Sequence, residues 1–181
     1  MKLSRKPRQP TALQLAQDTG NPALIDAVEA SSKLLHRKAL MAAMASAVPV
    51  PGLDMAVDAA LLSRLIPQIS SNFGLSDDQI AKLSPAKRAK VQNTVNMLGG
   101  VLIGKLITKD VILRAAKAVG LRLTAQQASK YVPLAGQAVA AALGYATLRY
   151  LGEQHLRDCV RVAHEAGLAL PAPAAENPSL S

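Results

Sequence analysis

Val48-Pro49-Val50-Pro51-Gly52, set between Ala39-Leu40-Met41-Ala42-Ala43-Met44-Ala45 and Leu53-Asp54-Met55-Ala56-Val57-Asp58-Ala59-Ala60, decides the fold. Both flanks are rich in Ala, Leu and Met, residues that favour helix. The five residues between them cannot continue a helix, because the prolines lack backbone donors and Gly52 admits left-handed geometry. The stretch predicts a corner between two helices, with Pro49, Pro51 and Gly52 as its structural residues. Val132-Pro133-Leu134-Ala135-Gly136 repeats the pattern ahead of another Ala-rich segment, so Pro133 and Gly136 mark a second corner. Ala56, Ala60 and Leu61 align loosely with Ala140, Gly144 and Tyr145. A weak repeat of two hairpins and a chance likeness of helix breakers both fit that alignment. The expected fold is all-α: two helical hairpins with Pro/Gly corners, packed as a compact helical domain.

Working outward, local signals place the other helices. Asn21-Pro22 is an N-cap followed by the residue best suited to a first turn, predicting a helix from about residue 22 toward Ala47. A second runs from Leu53 to about Ser70. Ser76-Asp77-Asp78-Gln79 is a capping-box pattern opening a short helix, and Ser84-Pro85 opens the next, which carries the apolar stretch Val91 to Gly104. Residues 108–119 read as helix ended by Gly120, and Thr124-Ala125-Gln126-Gln127 is another capping box. The last helix is expected from about Gln137 to Ala166. Its charges Arg149, Glu153, Arg157, Arg161 and Glu165 recur every four residues, predicting a solvated stripe with ion-pair support. Residues 1–10, with Lys2, Arg5, Lys6 and Arg8, read as a flexible basic arm, 11–166 as the helical domain and 167–181 as a disordered Pro-rich tail.

Of the 181 residues half are hydrophobic, enough for one domain with a sizeable core. Only Phe73, Tyr131, Tyr145 and Tyr150 are aromatic and Trp is absent, so small side chains must pack helices closely. One cysteine, Cys159, excludes an internal disulfide, and no signal-peptide pattern opens the chain. The cytoplasmic side of a membrane, or the cytoplasm itself, is the expected location.

The net charge of +9 is uneven, with ten cations against Asp110 alone in residues 82–130. Lys82, Lys87, Arg88, Lys90, Lys105 and Lys109 are therefore candidate contacts to an anionic surface, the alternative being a solvated basic face. Basic residues without interleaved aromatics support no specific nucleic-acid binding. The uncharged runs Ala39–Leu53, Val91–Gly104 and Tyr131–Leu148 span 15, 14 and 18 residues. Only the last reaches spanning length, and its Pro133, Gly136, Gln137 and Gly144 argue against stable insertion. Buried core helices, surface docking and shallow insertion of a hairpin remain.

Candidate chemistry is thin. Gly99-Gly100-Val101-Leu102-Ile103-Gly104-Lys105 has P-loop spacing, but Leu106 stands where a Mg²⁺-binding hydroxyl belongs, and glycines that admit a neighbouring helix explain it better. Asp54 and Asp58 lie one turn apart and read as structural carboxylates, near helix-start amides or a cation. His155 and Cys159, at i and i+4, give two ligands where zinc needs more, and nothing identifies an oxyanion donor for a Cys/His nucleophile. No cofactor, metal site or catalytic residue is expected.

Val48-Pro49-Val50-Pro51-Gly52-Leu53-Asp54 with Asp58, Phe73-Gly74-Leu75-Ser76, the Val132–Gly136 corner and Tyr150-Leu151-Gly152 together resemble the helical domain of the immunity-related, interferon-inducible GTPases. They are also similar to an uncharacterised bacterial helical domain that accompanies GTPase modules. The resemblance covers residues 40–165 and rests on moderately specific motifs. It implies a helical, often membrane-associated module that accompanies a GTPase. The departure is that no GTPase domain precedes it in this sequence.

The expected function is a non-enzymatic, membrane-associated helical module docking to anionic lipid or a membrane protein. The alternatives are a soluble interaction or regulatory protein for a separately encoded GTPase or other partner, and a membrane-inserting toxin or its neutralising partner.

Overall fold

The computed structural model describes residues 9–45, 53–98 and 134–171, with side chains described in these ranges except at 45, 53–60, 134–140 and 143. The described residues form six helices and no strand: α1 Ala12–Asp18, α2 Pro22–Ala45, α3 Leu53–Asn72, α4 Asp77–Ala81, α5 Pro85–Met97 and α6 Leu134–Glu165. The chain is all-α, as its composition and caps predict.

The starts of α2, α4 and α5 follow from local chemistry. Asn21 Oδ1 accepts the Ala23 amide at 3.0 Å, and Pro22 is the first helical residue. Ser76 and Gln79 exchange reciprocal bonds, Ser76 N to Gln79 Oε1 at 3.0 Å and Gln79 N to Ser76 Oγ at 3.3 Å. Ser84 Oγ accepts the Lys87 amide ahead of Pro85. Helix α1 has no counterpart in the sequence reading, although Thr11 and Gln14 form the same capping box.

Three described helix ends turn on a glycine with positive φ, Gly20 after α1 and two that close Schellman motifs. At Gly74 (φ 71°) and Gly167 (φ 58°) the chain enters the left-handed region. The following amides reach back, Leu75 N to Ser70 O and Leu168 N to Ala163 O, both at 3.0 Å, closing Schellman motifs that satisfy carbonyls at the ends of α3 and α6.

Helix α6 is the axis, with α1, α2, α3 and α5 all packed on it. One core cluster joins Ala12 and Ala16 of α1, Leu24 and Leu35 of α2, Leu65, Ile69 and Phe73 of α3, and Leu156 and Val160 of α6. A second joins Ala39 and Ala42 of α2, Leu62 and Ile66 of α3, and Leu148 and Leu151 of α6. The α3 positions recur at three- and four-residue spacing, one stripe facing inward. Each fully buried Leu, Ile or Phe contributes roughly 1.5–3 kcal/mol relative to exposure, so these stripes hold the bundle. Pro67 lies inside α3 but on its exposed face, where water can serve the carbonyl that a proline nitrogen cannot.

The structure corrects several expectations. Helix α6 begins at Leu134, so Gly136 sits within its first turn and is not a corner residue. Pro133 immediately precedes the helix, and a glycine inside a helix costs only about 1 kcal/mol, too little to stop one anchored along its length. The Arg149–Glu165 stripe is not solvated along its length: Arg157 is buried and Glu153 half-buried, because α1 and Gln9 lie over them. Leu168 is buried on the core, so packed chain continues past Gly167. Pro49, Pro51, Gly52, Pro133, Lys105 and Lys109 lie outside the described residues, as do residues 1–8, 99–133 and 172–181. Asp54 and Asp58 stand in the first two turns of α3, and their side chains are outside the description.

Candidate functional site

The basic corner is built by α4 and α5. Lys82 caps the end of α4, while Lys87, Arg88 and Lys90 occupy the first two turns of α5; all four are exposed. Two have structural duties. Arg88 Nη2 donates to the carbonyls of Ala81 at 2.6 Å and Leu83 at 3.3 Å, closing the end of α4. Lys87 Nζ donates to Gly167 O at 3.0 Å, just beyond the end of α6. Cations are favourable at helix C-termini, where unsatisfied carbonyls concentrate negative partial charge. Part of the charge excess read from sequence is therefore helix-end chemistry. Lys82 and Lys90 reach into solvent.

A second polar constellation is buried between α3 and α6. His155 Nε2 lies 3.0 Å from Ser70 Oγ and 3.5 Å from Cys159 Sγ, and its Nδ1 has no hydrogen-bond partner. His155 and Cys159 are wholly inaccessible. Burial pushes the His155 pKa down to about 4, with the Ile66 backbone only partly offsetting it. Burial, aided by Asp158, pushes the Cys159 thiol upward, against the Ser70 hydrogen bond. A nucleophilic Cys/His pair needs the reverse, a lowered thiol and access to substrate. The i, i+4 spacing thus serves packing with one hydroxyl partner, Ser70, that the sequence separates by 85 residues. Among the described residues no group of three or more His, Cys, Asp or Glu is placed to hold a metal ion.

Sequence reasoning also misses the clamp on α1. Glu153 Oε1 accepts the Ala12 amide at 2.6 Å, and Arg157 Nη1 donates to Gln9 Oε1 at 2.7 Å. Arg157 Nε lies 4.0 Å from Glu153 Oε1, so the expected i, i+4 pair forms, under cover. Only the Glu-x-x-x-Arg spacing hints at it; the partner segment is more than 140 residues away. Tyr145 meets His36 edge-on, with its hydroxyl 2.9 Å from His36 Nδ1, tying α6 to α2. No described helix is long and apolar enough to cross a membrane.

With this geometry in place, two curated relatives are informative. Interferon-inducible GTPase 5 of Bos taurus is 28% identical over 129 residues, and that of Rattus norvegicus 27% identical over the same length. Each match covers 68% of this chain and 28% of the relative, so the chain spans about 28% of the length of these relatives. The similarity is consistent with a region related to the immunity-related GTPases. No protein-family model and no solved structure matches the chain.

Proposed function

We propose that this chain is a non-enzymatic helical module, of the kind that accompanies a GTPase, and that it docks on an anionic membrane surface through the α4–α5 corner. The observation that carries the reading is the exposure of Lys82, Lys87, Arg88 and Lys90, four cations against the two exposed carboxylates, Asp77 and Asp78, that open α4. A cation near such a surface contributes about 1 kcal/mol. Lys87 and Arg88 still count, because a charge bonded to a neutral carbonyl keeps its field. Arg88 and Lys90, however, diverge by about 160° around a helix of 100° per residue, so a flat surface meets two or three charges, not four. The result is weak, salt-sensitive docking. The inaccessible Ser70–His155–Cys159 cluster supports the non-enzymatic half of the reading.

The test is cosedimentation of the chain and its Lys82→Glu/Lys90→Glu variant with phosphatidylserine-containing vesicles. Reversing two charges is expected to weaken binding at least tenfold. Unchanged binding by the variant defeats the assignment to this corner. A second reading, engagement of a separately encoded GTPase, is favoured by the similarity to GTPase relatives. A chain indifferent to lipid charge would leave that one standing.

A further inference from the structure

Helix α5 keeps one side on the bundle and shows the other to solvent. Val91 is its one buried residue, with Val95 and the capping Leu98 packed on the same core cluster. At 100° per residue, Ala86, Lys90, Asn93 and Met97 fall within an arc of about 60° that is turned away from those contacts. All four are exposed, and Met97, at 87%, is the most exposed of the large apolar side chains described. The helix carries Lys87, Arg88 and Lys90 and no Asp or Glu.

We propose that this stripe of α5 lies on the interface of an anionic bilayer, with Lys90 at the phosphates and Met97 at the acyl boundary. The proposal rests on the docking reading above, and names the side of the α4–α5 corner that faces the lipid.

Charge and reach choose this side. Lys90 and Met97 stand about 10 Å apart along one helix, so the charge of the corner and its apolar neighbour meet the same surface together. Ala86 and Asn93 have shorter side chains, so Lys90 and Met97 project furthest. The aliphatic stem of a lysine can follow the acyl boundary while its ammonium returns to the phosphates, and unbranched methionine adapts to a fluid layer. Lys87 flanks the stripe about 60° from Lys90 and adds its field from the side, with its ammonium on Gly167 O. Arg88 lies about 160° from Lys90, held on the Ala81 and Leu83 carbonyls, and this pose does not call on it. The exposed carboxylates Asp77 and Asp78 of α4 and Glu165 of α6 stand on other elements, none of them within the stripe. An acidic protein surface would satisfy Lys90 but would need a separate apolar pocket for Met97, whereas a bilayer interface offers both layers everywhere. A second copy fits less well: a stripe about 20 Å long and one side chain wide falls short of the roughly 800 Å² per partner that a stable interface buries, and a two-fold pairing would bring Lys90 toward its own image.

Asn93→Asp and Gln92→Glu make the same change, amide to carboxylate, at adjacent exposed residues, but Gln92 lies about 130° from the centre of the stripe. On phosphatidylserine-containing vesicles at low salt, Asn93→Asp should bind about fivefold more weakly than the unmodified chain and Gln92→Glu less than about twofold, with helical circular dichroism unchanged. Because the chain contains no Trp, Met97→Trp reports from the stripe alone, with Gln92→Trp as its control. On the same vesicles the emission of Met97→Trp should shift to the blue and be quenched by brominated acyl chains, while that of Gln92→Trp stays water-like. Equal weakening by the two charge changes, or a water-like emission from vesicle-bound Met97→Trp, overturns this face and leaves docking at the corner intact. Absence of vesicle binding by the unmodified chain overturns both. A blue shift that grows with protein concentration without lipid assigns the stripe to a second copy and overturns the proposal.

Discussion

Gly152 of α6 holds the place that Leu35 of α2 needs. A Cβ built at 152 would collide with both terminal methyl groups of Leu35 and stand 2.9 Å from its Cγ. Leu35 is fully buried, so it cannot swing into solvent to make room. Gly152→Ala would gain up to about 1 kcal/mol in helix propensity, yet overpacking a closed core costs roughly 1–3 kcal/mol, and the clash wins. Thermal denaturation should show a fall in Tm of several degrees. In a Leu35→Ala background the same substitution should cost little, a non-additivity that a double-mutant cycle reads directly.

Acid should weaken the fold through His155. Its pKa is about 4 in the folded chain against an ordinary 6.5, so below pH 6.5 the unfolded chain takes up a proton that the folded one refuses. Stability contributed by the neutral ring is complete above pH 6.5 and declines as pH falls toward 4, by about 3 kcal/mol in all. Asp158, whose carboxyl burial pushes upward, works in the opposite sense. The informative comparison is therefore between the unmodified chain and His155→Leu, by urea denaturation at pH 7, 5.5 and 4.5. The variant should lose most of this pH dependence.

Glu153→Ala should loosen α1. The substitution removes the acceptor of the Ala12 amide and the carboxylate beside buried Arg157. Leaving such groups without a partner costs about 1–3 kcal/mol. Hydrogen exchange should speed up across Ala12–Asp18 while the amides of α3 around Ile69 remain protected. Equal acceleration in both would mean that Glu153 supports the whole bundle.

How far the sequence foretells this arrangement depends on how local each cause is. Caps act within four residues, so Asn21-Pro22, Ser76 to Gln79 and Ser84-Pro85 announce their helices. Thr11 to Gln14 carries the same signal but opens only a seven-residue helix beside a basic arm, where it is easily overlooked. The burial of Arg157 and the pairing of Ser70 with His155 depend on segments far apart in the chain, and no spacing rule encodes them. The exposed cations of the α4–α5 corner are legible from sequence; that Lys87 and Arg88 close the ends of other elements is not.

That division of labour has its own consequence. Lys87→Ala and Arg88→Ala should each lower stability slightly, by up to about 1 kcal/mol, because they release carbonyls at Gly167 and at Ala81 and Leu83. Lys82→Ala and Lys90→Ala should leave the denaturation midpoint unchanged. Parallel denaturation curves of the four variants make the comparison.

Docking on an anionic membrane is tested most directly by the unmodified chain's partition between neutral and phosphatidylserine-containing vesicles at low and high salt. The account predicts binding to the anionic vesicles that falls steeply as ionic strength rises and little binding to the neutral ones. Equal binding to both, or binding to neither at low salt, would contradict it.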